Sequence, residues 1–123
     1  MPQFGTLSKS RLVTCDPKLQ DLAYAAIRLT DFSVACGHRG EQEQNEKFAQ
    51  GFSQLRWPHS KHNKMPSLAM DLIPWPVDWG NIGRFQALAK IVKAEAAKLG
   101  IAIEWGGDWK AFKDWPHYQL KDA

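Results

Sequence analysis

The chain has 123 residues, enough for one domain to bury a core without disulfide staples. Hydrophobic residues at 44% and charged residues at 24% are ordinary for a globular protein, and no apolar run approaches the roughly 18 residues of a membrane span, so stable membrane insertion is not expected. Sixteen Lys and Arg against thirteen Asp and Glu give a net charge of +3, which favours encounter with anionic polymers; the charges are scattered, however, and form no basic arm of the kind that grips nucleic acid.

Met1 to Ser8 lacks the basic start and apolar stretch of a secretory signal, so synthesis in the cytosol is expected. Cys15 and Cys36 do not form a Cys-x-x-Cys pair and are expected as two reduced thiols. Asp16-Pro17 starts a helix, with Asp as N-cap and Pro at the first helical position. Leu19, Leu22, Ala23, Ala26 and Ile27 then recur at helical spacing, so this helix is expected to run to about Leu29. The stretch from Asp31 to Cys36 alternates as a strand that Gly37 ends, and a polar helix is expected from about Glu41 to Gln50.

From Gly51 to Pro66 there is no sustained period, which predicts a long loop of the kind that tends to be functional. Leu68 to Ile73 is expected as a strand carrying Asp71, closed by Pro74 and Pro76. The clearest helix spans Ile82 to Leu99, where Ile82, Phe85, Leu88, Ala89, Val92, Ala96 and Leu99 make one apolar stripe and Gly100 stands at C′. Ile101 to Trp105 is the next strand, Gly106-Gly107 a turn, and His117 to Leu120 a short final strand. The expected fold is a small α+β domain over residues 1–123, with two or three helices packed on one face of a mostly antiparallel sheet.

Three short elements bring donor chemistry together: Ser60-Lys61-His62, Ala69-Met70-Asp71 and Asp114-Trp115-Pro116-His117. Two imidazoles and a carboxylate suit zinc, and three protein ligands leave a coordination position open, as in catalytic sites. Asp114, three residues before His117, offers a second carboxylate. Glu104 and Asp108 are rival bases, placed behind Asp114 because only Asp114 is tied by spacing to a proposed ligand. Asp108, after Gly-Gly, could instead orient a ligand imidazole from behind. His59 makes His-x-x-His with His62, yet in a Pro-flanked loop a substrate contact suits it better than ligation. Six tryptophans are many for this length; core and loop anchoring explains them more simply than stacking on glycan or peptide.

Gly37, Arg39, Gln44, Ser60, His62, Ala69, Asp71, Asp114 and His117 occur in the order of a known pattern: Gly-x-Arg with Gln five residues on, then Ser-x-His, Ala-x-Asp and a terminal Asp/Glu-x-x-His. By these motifs the chain resembles the zinc peptidases of the D-alanyl-D-alanine carboxypeptidase type over nearly its whole length. Glu104 to Trp109 and Pro116 to Leu120 resemble the single-domain phage endolysins among them, which are L-alanyl-D-glutamate peptidases. One departure is that nine positions separate His62 from Asp71, where the family has seven with a Gly between.

The resemblance implies one Zn2+ per chain held by His62, Asp71 and His117, with Asp114 as general base and Arg39 on the substrate or its oxyanion. Ser60, Gln44 and His59 would contact substrate. A guanidinium stays charged and offers several N–H donors, which suits Arg39 to that task; its competing use is a surface ion pair with Glu41 or Glu43. The implied function is hydrolysis of the peptidoglycan stem peptide at the L-Ala-D-Glu bond, by a monomer held in the host cytoplasm until it is released to the wall. A D-Ala-D-Ala carboxypeptidase or dipeptidase would use the same centre. A zinc-stabilised wall-binding module without catalysis is the alternative from another class.

Overall fold

The structure, a computed structural model, describes residues 2–121. Four α-helices, α1 (Thr6–Leu12), α2 (Pro17–Ile27), α3 (Glu41–Ala49) and α4 (Ile82–Leu99), accompany four strands, β1 (Phe32–Cys36), β2 (Ala69–Pro74), β3 (Ile103–Trp105) and β4 (His117–Leu120). The strands form one antiparallel sheet in the order β1-β2-β4-β3, so the α+β expectation holds. The Asp16 side chain caps α2 by accepting from the Lys18 N–H at 2.9 Å, and Gly100 ends α4 at a φ of 70°, a conformation that favours glycine.

Side chains alternate across each strand, and this period of two divides the molecule. On one face Val34, Met70, Leu72 and Tyr118 meet Leu19, Leu22 and Ala26 of α2 and Leu88, Ala89 and Val92 of α4 in one apolar core. Leu22, Leu72 and Val92 have 0% exposure, a burial that contributes about 1.5–3 kcal/mol for each such side chain. The opposite face carries Asp71 and His117 as direct cross-strand partners, and Gln119 beside Glu104.

Helix α1 was not expected. It has seven residues, no side-chain cap, and only Ser8 and Leu12 buried. Its work is at the sheet edge, where the Val34 N–H donates to Ser8 Oγ at 3.0 Å and Arg11 Nη1 donates to the Val34 carbonyl at 3.1 Å. The N–H and carbonyl of Val34 are thereby occupied, which blunts an edge that could otherwise pair with another strand.

Candidate metal centre

His62 lies in a 3-10 turn, Lys61–Asn63, inside the long loop. Ser60 caps that turn: its Oγ accepts from the His62 N–H at 3.2 Å, while its own N–H donates to Asn63 Oδ1 at 3.0 Å. The Arg39 N–H donates to the His62 carbonyl at 2.8 Å, tying the turn to the Gly-x-Arg segment. The extra length between His62 and Asp71 is absorbed at Lys64, Met65 and Pro66, which are exposed, while the Leu68 N–H returns to the Lys61 carbonyl at 3.0 Å. The longer spacing therefore loops outward and leaves His62 beside β2.

Asp71 and His117 are register partners on β2 and β4, so both side chains rise from the same face of the sheet. Oδ1 of Asp71 receives both imidazoles, His62 Nε2 at 3.1 Å and His117 Nδ1 at 3.4 Å, and the two rings stand edge to face with centroids 5.0 Å apart. Each ring is held from behind. His62 Nδ1 donates to the Gly37 carbonyl at 2.8 Å, and His117 Nε2 faces Gln119 Oε1 at 2.8 Å, with Gln119 Nε2 donating in turn to Glu104 Oε2 at 3.3 Å. These outer bonds direct Nε2 of His62 and Nδ1 of His117 inward, so the donor set and its support fit a divalent cation.

Asp114 reaches the same place from a turn, with Oδ2 3.8 Å from His117 Nδ1. Its N–H donates to the Gly106 carbonyl at 3.1 Å, and its carbonyl accepts from the His117 N–H at 3.1 Å. A Cβ on Gly106 would lie 2.2 Å from the Asp114 carbonyl oxygen, so the absence of a side chain at Gly106 is what lets this turn lie so close. Burial and the negative charge of Asp71 raise the Asp114 pKa, against the pull of His117, His62 and Arg39. Burial would also raise Asp71, but the charge of His62 and hydrogen bonds from both imidazoles outweigh it and hold that carboxyl well below the usual range. His62 moves the other way, up to about 10: burial lowers it, and the Asp71 charge and hydrogen bond more than reverse that.

Arg39 is buried and its Nη2 lies 3.4 Å from Asp71 Oδ2, so its ion pair is with the site and not with Glu41 or Glu43. Gln44, expected to touch substrate, is fully buried and away from the cleft. Its Oε1 accepts from Arg39 Nη1 and from Asn63 Nδ2, both at 3.1 Å, and its Nε2 donates to Ser53 Oγ at 2.9 Å and to the Leu55 carbonyl at 2.6 Å. It brackets Arg39 and the His62 turn. Ser60 borders the cleft but is 5% exposed and committed to its cap, whereas His59 is exposed on the cleft wall. Asp108 does not stand behind an imidazole: its Oδ2 pairs with Lys93 at 2.6 Å, half exposed, and Gln119 takes that place behind His117.

Two residues of the site have no role assigned from the sequence. Gln119 lies two positions after His117 on one strand, which was the available signal, because that interval returns to the same face. Cys36 is the other: its sulfur, a ring nitrogen of His62 and a carboxylate oxygen of Asp71 lie within 4.8 Å of one another and could together hold a metal. The site opens into a cleft of about 1010 Å³ whose walls include Trp79, Phe85, Trp109 and Lys113. Trp79 stacks on Phe85 at 5.7 Å, and Trp109 lies 5.1 Å from the His117 ring, so these two tryptophans are wall residues while Trp105 is buried.

A family model described as phage L-alanyl-D-glutamate peptidase matches residues 2–121. The L-alanyl-D-glutamate peptidase of Escherichia phage T5 is 32% identical over 124 residues, which covers 97% of this chain and 89% of that one. The peptidoglycan L-alanyl-D-glutamate endopeptidase CwlK of Bacillus subtilis (strain 168) is 33% identical over 114 residues, 80% of this chain and 65% of that one. Among solved structures, the Serratia marcescens L-Ala D-Glu endopeptidase ChiX gives a TM-score of 0.82 at 34% identity, covering 97% of this chain and 90% of its own.

Proposed function

The chain belongs to the phage L-alanyl-D-glutamate peptidase family, and from that premise we propose that it is a zinc peptidase cutting the L-Ala-D-Glu bond of the peptidoglycan stem peptide, as an endolysin does in host lysis. The observation that carries this reading is the convergence of His62 and His117 on one oxygen of Asp71, with the Asp114 carboxylate 3.8 Å from His117 at the head of an open cleft. Among the described residues no helix is long and apolar enough to cross a membrane.

His62, Asp71 and His117 would hold the cation, which supplies Lewis acidity and lowers the pKa of a bound water toward about 7. Asp114 then takes the proton of the attacking water and returns it to the departing amine, serving as base and afterwards as acid. Its raised pKa makes the carboxylate a stronger proton acceptor than an ordinary one, which suits the first half of that transfer. Arg39 fixes the outer oxygen of Asp71 through Nη2. Its Nε is buried without a partner among the described residues, while the guanidinium borders the cleft and places positive charge near developing negative charge on the substrate carbonyl.

The test is mass analysis of fragments released from purified peptidoglycan. New N-terminal glutamate and C-terminal alanine are expected, and cleavage only at a terminal D-Ala would replace this reading with a carboxypeptidase. Asp114→Asn should retain the metal and lose about 10²–10⁴-fold in turnover. Wild-type turnover in that variant would remove Asp114 from the mechanism.

A further inference from the structure

Cys36 stands directly across from Asp71 on β1, on the opposite side of β2 from His117. A local irregularity puts it there. The register that pairs Phe32 with Pro74, Ser33 with Ile73 and Val34 with Leu72 would, if continued, set Cys36 against Met70 and turn it toward the core. The shift between Val34 and Cys36 instead pairs it with Asp71 and brings the thiol to the metal face, as bulges re-aim single side chains beside functional sites. A row of three potential ligands, Cys36, Asp71 and His117, therefore crosses three strands at one level, with His62 in contact from the loop.

The thiol is half-buried and makes a weak hydrogen bond of 3.5 Å to the Gly37 carbonyl, the acceptor that also holds His62 Nδ1. A tetrahedral cation bonded to sulfur at about 2.3 Å and to nitrogen at about 2.1 Å sets those donors about 3.6 Å apart. That separation lies inside the 4.8 Å that bounds the Cys36, His62 and Asp71 donors. Thiolate selects softer ions than an imidazole and carboxylate set does.

We propose that Cys36, His62 and Asp71 form a thiolate-bearing site for a soft divalent cation, sharing two donors with the hydrolytic set and omitting His117. It rests on the reading of His62 and Asp71 as ligands. An ion held there draws both shared donors toward β1, away from His117 and Asp114 on the other side of β2, so soft cations inhibit by occupying a neighbouring position.

The experiment is titration of the metal-free full chain with Cd2+, followed by sulfur-to-metal charge-transfer absorption in the ultraviolet. One equivalent should raise that band in the wild type; Cys36→Ser should lose it and His117→Ala should keep it. No band in the wild type, or an undiminished band in Cys36→Ser, overturns the proposal. Should Cys36→Ser lose its near-ultraviolet circular dichroism, cadmium-113 NMR of the wild type decides instead: a thiolate-range shift supports the site, and a shift typical of nitrogen and oxygen donors alone overturns it. The band is read without turnover, so a missing band beside correct muropeptide fragments sinks only this site, and a band without L-Ala-D-Glu cleavage sinks only the peptidase reading.

Discussion

Replacing Gln44 with Leu separates a bracket from a substrate contact. The side chain is 0% exposed and makes four hydrogen bonds, two of which satisfy buried donors, Arg39 Nη1 and Asn63 Nδ2. Leucine fills similar space but leaves Arg39 Nη1 without that acceptor and Asn63 Nδ2 with the Arg39 carbonyl alone, and an orphaned buried group costs about 1–3 kcal/mol, more for a charged one. The Ser53 and Leu55 partners lie toward solvent and find water, so they add little. The sum is about 2–5 kcal/mol. At roughly 3–5 °C per kcal/mol for a domain of this size, Tm should fall by about 6–25 °C, read by circular dichroism on the metal-free protein. Turnover at a temperature where the variant remains folded should fall as well, because Arg39 loses the partner that aims it at Asp71. A Tm within about 3 °C of wild type together with a selectively raised KM would refute this reasoning and return Gln44 to the substrate.

Gly106→Ala should fold yet lose about 100-fold in kcat/KM on stem peptide, because its Cβ meets the Asp114 carbonyl and must push the base out of place; wild-type kinetics would show that the turn has slack. Metal uptake should release a proton at neutral pH. In the metal-free chain His62 stays protonated up to about 10, and its pair with Asp71 adds stability that is complete below the ordinary histidine range and lost as pH rises through about 10. Apparent zinc affinity should therefore climb about tenfold per pH unit between 7 and 9, measured by calorimetry in buffers of different ionisation enthalpy; a flat profile would mean that His62 is already neutral.

Much of this was legible because it is periodic. Asp71 could be placed on a strand from the apolar run around it, and α4 from its stripe, since burial imposes both patterns. Ile82 and Leu99, the ends of that stripe, are nevertheless exposed. What escaped is what has no period. Helix α1 earns its place through Ser8 and Arg11 bonding to the β1 edge, a tertiary need that a seven-residue polar segment does not advertise.

The misplaced side chains share a cause. Spacing tells how far apart two residues are along the chain and not which way a turn will send them. Asp108, after Gly-Gly, reads as a partner for a ligand imidazole; the 3-10 turn Gly106–Asp108 swings it to Lys93 on α4, and the open position behind His117 falls to a strand neighbour. Gln44 sits five residues from Arg39, and the start of α3 at Glu41 folds it back beneath the guanidinium and out of the cleft. Cys36, expected only as a reduced thiol, shows the same limit: strict alternation from Val34 would point it to the core, and one register shift, unmarked by any residue type, moves it next to Asp71. The same shift carries chemical weight, since a thiol on the core face would be inert and a thiol on the metal face is a potential ligand. At such positions the fold decides function through a single backbone irregularity, and the sequence shows only that a cysteine is present.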